Sequence, residues 1–274
     1  MKEERRRYTL HNDKGRCYLT FPALERYGSL RHLFTTRRGG VSTGCCDSWN
    51  FGAWELDSEE NIRRNYEILA EVLGVSAERM VRTAQTHTVN IRIVSEDDMG
   101  KGITRKRDYD NVDGLVTNIR RIPIVTGHAD CNAVFFFDPK KEVIGLAHSG
   151  WRGTLAGISR QMVEVMASEY GCLPADLVTG LGPALCRDCF EVDTDVAQAF
   201  FDADREYRQF AYRSGEKYYI DLKKIIRSDL MDCGILPEHF SDMDLCTKCR
   251  KDMFFSHRGH MGKRGIMAAA MMLV

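Results

Sequence analysis

The order of short apolar segments constrains the fold of this chain more than any other feature of its sequence. Seven segments have the length and the β-branched or aromatic content of strands, and they are residues 33–36, 89–94, 122–126, 133–137, 143–148, 177–181 and 266–273. Several follow one another with only short turns between them, whereas parallel strands need a crossover connection that is usually a helix. The order therefore predicts an α+β fold with mixed or antiparallel sheets rather than a doubly wound sheet.

Helices are predicted where apolar residues recur every three or four positions. The stripes cover residues 62–73, 155–166 and 222–230, with a fourth near residues 192–201. Ser58 is the expected N-cap of the first helix and Gly74 its stop, while Gly171 ends the second. Because the chain has no repeat, low-complexity tract or long linker, we expect one domain over residues 1–274, with about the first 25 residues as a candidate peripheral extension.

Charge and cysteine content limit the partners and the compartment. Lys and Arg together number 39, as do Asp and Glu, so the formal net charge is zero. We therefore expect binding of neither nucleic acid nor an anionic membrane, since both need a basic field. The charged first seven residues do not resemble a signal peptide. The ten cysteines are then expected as reduced thiols or metal ligands in a cytoplasmic protein, monomeric or a small homo-oligomer.

A predicted hairpin places two metal-ligating residue types near each other. The sequence Asp-Pro-Lys-Lys, typical of a type I turn, joins two of the predicted strands. If Asp138 pairs with Lys141, Cys131 lies opposite His148 at the open end of the hairpin, where facing Cβ atoms are about 4.5–5.5 Å apart. A bulge in the turn would offset this register by one residue.

His87, in a polar segment between two predicted strands, is the third candidate ligand. Two histidines and one cysteine would leave a zinc ion one open coordination position, which is the pattern of catalytic zinc sites. Spacing alone also allows these three to be ordinary core or strand-end residues. A nucleophilic pair of Cys131 with one histidine is a further alternative, but the presence of two histidines favours a metal.

Two glycine-containing segments have the composition of anion sites. Arg37 follows a predicted strand and precedes Gly39 and Gly40, where backbone can approach a ligand closely and arginine can bind phosphate through two hydrogen bonds. Arg152 lies near the start of a predicted helix, a position that favours anions. Each segment can equally be an ordinary turn, with solvated arginines in the first and Trp151 packed into the core in the second.

Two Cys-x-x-Cys pairs, Cys186 with Cys189 and Cys246 with Cys249, are separated by 56 residues. Ordinary zinc ribbons have a much shorter separation. We therefore expect unliganded thiols near turns, with a structural four-cysteine site as the alternative, and the metal at the histidine–cysteine set should not depend on Cys186 or Cys249.

Eight groups of motifs together resemble one known family. They are F-T-T-R-R-G-G-V-S at 34–42, S-W-N-F-G at 48–52, Q-T-H at 85–87, D-G-L-V-T at 113–117, A-D-C at 129–131, H-S-G-W-R-G at 148–153, G-P at 182–183 with C-F-E-V at 189–192, and C-T at 246–247 with F-F-S-H-R at 254–258. Each motif is weak alone, but eight in order over nearly the whole chain are specific. The chain resembles the laccase-domain, polyphenol-oxidase-like proteins, now regarded as purine nucleoside phosphorylases with adenosine deaminase activity.

The resemblance implies a single α+β domain with its sheets sandwiched between helices, and it places the family's zinc ligands on His87, Cys131 and His148. We expect one zinc ion per chain, with copper as the second choice. Within the matching motifs, catalytic roles are expected for Arg37, Gln85, Asp130 and Arg152, and substrate contacts for Arg37, Gly39, Gly40, Ser42 and Asn50. Departures from the pattern at Ser149, Ala133 and His257 remove no expected ligand, but they bear on substrate preference.

The implied reaction is phosphorolysis of adenosine or inosine, with methylthioadenosine as a further substrate, accompanied by deamination of adenosine. The partners are then a nucleoside and phosphate. A copper-dependent polyphenol oxidase is the first alternative, but multicopper oxidases need His-x-His spacing, and none of the eight histidines has it. An editing amidase acting on a cell-wall precursor and a zinc-stabilised interaction module are the others.

Overall fold

The structure, a computed structural model, describes residues 6–274. The first five residues of the charged N-terminal segment lie outside this range. Among the described residues the strands are β1 Thr9–Asp13, β2 Arg16–Thr20, β3 Leu30–Thr35, β4 Val81–Arg82, β5 Ile91–Ile93, β6 Gly114–Thr117, β7 Ile124–His128, β8 Asn132–Asp138, β9 Val143–Ser149, β10 Val178–Leu181, β11 Glu191–Val192, β12 Ala211–Ser214, β13 Lys217–Ile220, β14 Phe240–Asp242 and β15 Met267–Leu273. The helices are α1 Pro22–Glu25, α2 Glu59–Leu73, α3 Trp151–Leu155, α4 Ile158–Tyr170, α5 Thr194–Ala203 and α6 Leu222–Asp232.

The strands form two large sheets and one small sheet in the part of the chain that the structure describes. The first large sheet has the order β1-β2-β3-β15-β7-β4, and the second has the order β14-β10-β8-β9-β6-β5. Most neighbours are antiparallel, but β4 runs parallel to β7, β5 to β6 and β10 to β14. The small sheet, β11-β13-β12, is antiparallel. The predicted α+β fold with mixed sheets is therefore confirmed.

Alternation along the strands builds four layers from these elements. Phe135 and Phe137 of β8 point into the core between the two large sheets, where they join Phe34 from the first sheet. Phe136 points to the opposite face and packs with Met162 of α4, because successive side chains in a strand face opposite sides. Helices α4 and α6 thus cover the second sheet, and α2 covers the first. The sheets lie between helices, as the resemblance implied.

The N-terminal hairpin is part of the fold from Thr9 onward. Strands β1 and β2 extend the edge of the first sheet, and Leu19 and Phe21 are fully buried in the core between the sheets. The ring of Phe21 lies against Gly180 so closely that an added Cβ there would come within 2.7 Å of it. An extension peripheral to the core would make no such contact. Among the helices of residues 6–274, none combines the length and apolar character needed to cross a bilayer.

The predicted helices form, with one break. The first is capped by Ser58, whose hydroxyl accepts the Asn61 N–H at 3.1 Å, and it ends at Gly74 in the left-handed conformation at φ 69°. The second is interrupted between α3 and α4 because Gly157 also takes a left-handed conformation, at φ 80°. It ends at Gly171, as predicted.

The turn between β8 and β9 is longer than predicted. Asp138 pairs with Val143 rather than with the third residue after it, so the turn contains four residues. The Asp138 carboxylate accepts the backbone N–H groups of Lys140 and Lys141 at 2.8 and 3.0 Å. Glu142 then takes a left-handed φ of 51° before the strand resumes. The predicted register is therefore wrong, because the aspartate caps a wider turn than the pairing with Lys141 assumed.

Asn65 ties α2 to the glycine-containing segment that follows β3. Its buried amide accepts the Val41 N–H at 2.9 Å and donates to Ser42 Oγ and to the Asn50 carbonyl, each at 2.8 Å. Since the oxygen and the nitrogen of this amide both form hydrogen bonds inside the protein, removing the side chain would leave several polar groups buried without partners.

Asn65→Ala is expected to lower the free energy of unfolding by about 1–3 kcal/mol, the cost of leaving buried polar groups unsatisfied. Urea denaturation of the purified protein measures this change. Arg63→Ala on the exposed face of the same helix removes an ion pair with Glu59, and is expected to cost less than about 0.5 kcal/mol. Equal losses in the two variants would contradict this account of Asn65.

Candidate metal centre

Three separate elements bring the predicted ligands together. His87 lies in the loop between β4 and β5, Cys131 in the turn between β7 and β8, and His148 in β9. One ligand atom from each lies within 4.8 Å of the other two. His148 is buried, whereas His87 is exposed. The three side chains therefore form a cluster that is open to solvent on the His87 side and can hold a metal ion.

Cys131 reaches His148 by a different route from the one predicted. In the observed register Ala133 lies opposite His148, and Cys131 precedes the first residue of β8. The turn before Cys131 contains Asp130 with φ 91°, and the Cys131 carbonyl lies 3.2 Å from Nδ1 of His128. The tight turn, rather than cross-strand pairing, carries the thiol into the cluster.

The carboxylate of Asp113, which directly precedes β6, organises the cluster. Oδ1 accepts a hydrogen bond from Nδ1 of His148 at 2.8 Å and from the backbone N–H of His87 at 3.1 Å. Oδ2 accepts the N–H groups of Thr86 and Thr88 at 2.9 and 3.0 Å. Because Nδ1 of His148 is used in this way, its Nε2 is left for a metal, as in many carboxylate–histidine–metal arrangements.

Asp113 was absent from the predicted site residues. Asp113 is the first residue of the D-G-L-V-T motif, but the spacing of the motifs gives no reason to connect it with His87 or His148. The carboxylate is fully buried. Burial raises the pKa of Asp113, but the hydrogen bonds from His148 and the loop outweigh it, so the net pKa is lowered and the group stays charged.

The electrostatics of the cluster favour a thiolate. Burial raises the pKa of the Cys131 thiol, but the positive charge of His148 and hydrogen bonds from the two imidazoles lower it to about 6. Burial lowers the pKa of His148, but the Cys131 thiolate and Asp113 raise it to about 9. A thiolate is the form of cysteine that binds metals, so one thiolate and two imidazoles fit a divalent cation such as zinc or copper.

Gly150 lets the ligands approach one another. A Cβ at this position would lie 2.7 Å from Cδ2 of His87 and 3.0 Å from Sγ of Cys131. Gly153, one turn further along, has room for a Cβ, since the nearest atom would be the Thr88 carbonyl oxygen at 3.5 Å. A side chain at 150 would therefore displace His87 or Cys131 from the position it occupies in the cluster.

A cavity of about 400 Å³ opens over the cluster and is lined by three arginines, Arg82, Arg107 and Arg264, together with Asp110 and His87. The Nε atoms of Arg82 and Arg264 are buried, and neither has a hydrogen-bond partner within residues 6–274. Burial, together with the charge of Arg82, lowers the pKa of Arg107, and burial lowers that of Arg264. Crowded cations that line a cavity are suited to an anionic ligand.

Arg37 does not line this cavity. Its Nε donates to the Asp47 carbonyl at 2.9 Å, and one terminal nitrogen donates to the Lys251 carbonyl at 3.2 Å. Its guanidinium also lies over the ring of Phe255, 4.8 Å from the centroid. Through these contacts the Arg37 side chain joins the loop that contains Asp47 to the segment that contains Lys251 and Phe255.

The other predicted substrate contacts lie in the same structural segment. The N–H groups of Gly39 and Gly40 both donate to the Ser48 hydroxyl, at 3.1 and 3.3 Å, so they do not form an open phosphate cradle. Ser42 and Asn50 are buried, and Asn50 Oδ1 accepts two backbone N–H groups. The structure therefore does not bring this set to the cavity at the metal centre.

The remaining predicted catalytic residues occupy three different positions. Gln85 lines the cavity, but its amide bonds to both the N–H and the carbonyl of Gly127, each at 2.7 Å. The Asp130 carboxylate accepts the Thr247 hydroxyl at 2.6 Å and the Arg258 N–H at 2.7 Å. Arg152 is exposed and its guanidinium lies over the Trp151 ring at 4.2 Å. Of the three, Gln85 alone lines the cavity.

The fold and the site together define an α+β protein with a potential metal centre beneath a basic cavity. The family model described as "Multi-copper polyphenol oxidoreductase laccase" matches residues 31–274, and the chain belongs to this family. Purine nucleoside phosphorylase YlmD of Bacillus subtilis is 35% identical over 242 residues, which are 85% of this chain and 85% of that protein.

Solved structures show the same architecture. The crystal structure of YfiH from Bacillus licheniformis superposes with a TM-score of 0.91 at 29% identity, covering 97% of this chain and 99% of that one. YlmD from Geobacillus stearothermophilus gives a TM-score of 0.86 at 29% identity, covering 96% and 98%.

Gly150→Ala is expected to weaken metal binding at this centre about 10- to 100-fold, the range observed when groups that orient metal ligands are lost. The added methyl group would push His87 and Cys131 away from their present positions. Competition with a chelator of known affinity measures the change. Gly153→Ala is the matched control and should bind metal as the unaltered protein does; unchanged affinity in Gly150→Ala would show that the close approach is not required.

Proposed function

We propose that this chain is a zinc-dependent purine nucleoside phosphorylase that acts on adenosine and inosine, with methylthioadenosine as a further substrate and with adenosine deaminase activity. The observation that carries the proposal is a basic cavity, lined by Arg82, Arg107 and Arg264, that opens directly over a cluster of metal-ligating side chains. The name of the Bacillus subtilis relative agrees with it. Because all ten cysteines are free thiols, we expect a cytoplasmic protein.

Zinc is the proposed metal at His87, Cys131 and His148. Three protein ligands would leave one coordination position for water or a substrate atom, where zinc can make water acidic or polarise an oxygen. Copper is the alternative that the family's description suggests. A single cluster with one thiolate and two imidazoles is poor support for a multicopper relay, which needs several linked copper sites.

The chain's own residues would divide the work in phosphorolysis. Arg82 and Arg264, which line the cavity, would bind phosphate through their guanidinium groups and place one of its oxygens for attack on the anomeric carbon of the nucleoside. The bond from that carbon to the purine nitrogen breaks with its electron pair passing to the nitrogen, which takes up the proton that hydrogen phosphate loses. The products are a free base and a sugar 1-phosphate. Gln85 and Asp130 would act as positioning residues, since their side chains are bonded to the protein rather than directed at a substrate.

Purified protein should convert inosine to hypoxanthine and ribose 1-phosphate only when phosphate is present, and adenosine to adenine by the same route. Adenosine should also yield inosine without phosphate. Chromatography of both products over time measures the two reactions. Cys131→Ala should abolish them, because it removes the thiolate ligand, while Cys233→Ser serves as the control. Oxidation of a phenol in place of nucleoside turnover would favour the copper oxidase, and no turnover by metal-loaded protein would reject the proposal.

Arg82→Gln is expected to raise KM for phosphate about 10- to 100-fold, since hydrogen bonds to charged groups contribute about 1.5–3 kcal/mol. Steady-state kinetics at varied phosphate checks this, and the metal content should stay unchanged. Arg37→Lys tests the sequence-based hypothesis in parallel, because lysine keeps the charge but loses the paired hydrogen bonds. A phosphate defect in Arg37→Lys together with normal behaviour of Arg82→Gln would return the phosphate site to the glycine-containing segment.

A further inference from the structure

The two Cys-x-x-Cys pairs, far apart in the chain, meet in space. Sγ atoms of Cys186, Cys189, Cys246 and Cys249 all lie within 4.8 Å of one another, and those of Cys189 and Cys249 are 3.5 Å apart. All four are free thiols. The expectation of separate, unliganded thiols was based on the long intervening segment, and the fold brings its two ends together.

The two pairs share one local geometry. In the first, the N–H of Phe190 donates to the Cys186 carbonyl at 3.1 Å, and in the second the N–H of Arg250 donates to the Cys246 carbonyl at 2.9 Å. Each hydrogen bond folds the pair into a tight turn with both thiols on the same side. Two such turns facing each other form the arrangement found in four-cysteine zinc sites.

Backbone hydrogen bonds hold the two turns in register. Ala184, just before the first pair, donates to the Leu245 carbonyl and accepts from the Thr247 N–H, both at 3.1 Å. The N–H of Cys186 donates to Sγ of Cys246 at 3.3 Å, and such a bond stabilises a thiolate. The four sulfurs are thus positioned by the backbone and not by chance orientation of exposed side chains.

We propose that Cys186, Cys189, Cys246 and Cys249 bind a second zinc ion, in a closed structural site distinct from the centre at His87. Zn–S bonds of about 2.3 Å in a tetrahedron place sulfurs about 3.8 Å apart, which agrees with the observed spacing. Binding releases the protons of the thiols that are protonated and involves no change of oxidation state. With four protein ligands the ion has no position left for substrate.

Charge near the site suits the complex. Zinc with four thiolates carries a net charge of −2, and Arg187, Lys248, Arg250 and Lys251 lie in or beside the two turns. Asp188 and Asp252 pair with Arg187 and Arg250, so the excess positive charge comes from Lys248 and Lys251. Nearby cations lower the free-energy cost of keeping four thiolates together.

The second site would also support the first. Thr247 lies between the two cysteines of the second pair, and its hydroxyl donates to the Asp130 carboxylate at 2.6 Å. Leu185, next to Cys186, donates its N–H to the Asp130 carbonyl at 3.0 Å. Asp130 directly precedes Cys131. Zinc bound by the four cysteines would therefore fix the turn that presents the Cys131 thiolate.

Metal analysis of protein prepared without an affinity tag tests the proposal without any nucleoside substrate. We expect two zinc ions per chain in the unaltered protein, one in Cys186→Ser/Cys249→Ser, one in His148→Ala, and two in the control Cys233→Ser, whose thiol is half-buried outside both clusters. His148→Ala loaded with cobalt should show the intense visible absorption of four-thiolate coordination.

The His148→Ala protein tests the four-cysteine site even if the cysteine variants do not fold. Zinc-free His148→Ala, or a cobalt spectrum in it without four-thiolate absorption, would overturn the second site. Disulfide formation among these four cysteines in freshly prepared protein, measured by thiol titration after denaturation without reductant, would also overturn it. Failure of the proposed nucleoside chemistry would leave all these results unaffected.

Discussion

The buried carboxylate of Asp113 is the interaction on which the centre depends. A charge removed from water is costly unless it is fully hydrogen-bonded, and this one accepts hydrogen bonds from the imidazole of His148, a candidate metal ligand, and from three successive backbone N–H groups. It therefore fixes the ring of His148 and the loop that carries His87 at the same time. His87 lies in a loop and His148 in a strand, and they share no local sequence, so removing this carboxylate would release both side chains.

The basic cavity and the glycine-containing segment have separate roles in the structure. In the segment, Ser48 accepts the N–H groups of Gly39 and Gly40, and Arg37 donates to backbone carbonyls. These groups are satisfied within the protein, which makes the segment a connector between α2 and the first sheet. Around the cavity, Arg82 and Arg264 retain buried donors with no partner in residues 6–274. Both residues also line the cavity beside the metal-ligating cluster.

Features that rest on local interactions could be predicted from the sequence, and features that rest on tertiary contacts could not. The cap at Ser58 and the stop at Gly74 involve neighbouring residues, so their types were sufficient. The predicted hairpin register is wrong because the side chain of Asp138 caps a wider turn, which residue types alone do not distinguish from a type I turn. Asp113 and the facing cysteine turns could not be assigned, because their partners lie dozens of residues away and only the sheet order brings them together.

Two of the nine non-glycine residues with positive φ in residues 6–274 lie in or beside the candidate metal centre. His87 has a φ of 67° and Asp130, next to Cys131, a φ of 91°, and such conformations cost residues other than glycine about 1–3 kcal/mol each. Each is held in place by charge-assisted hydrogen bonds, from the His87 N–H to Asp113 and from Thr247 and Arg258 to Asp130. Bonds of this kind contribute about 1.5–3 kcal/mol, enough to offset the strain. The buried carboxylates thus hold the backbone at His87 and next to Cys131 in conformations that the isolated loops would not adopt.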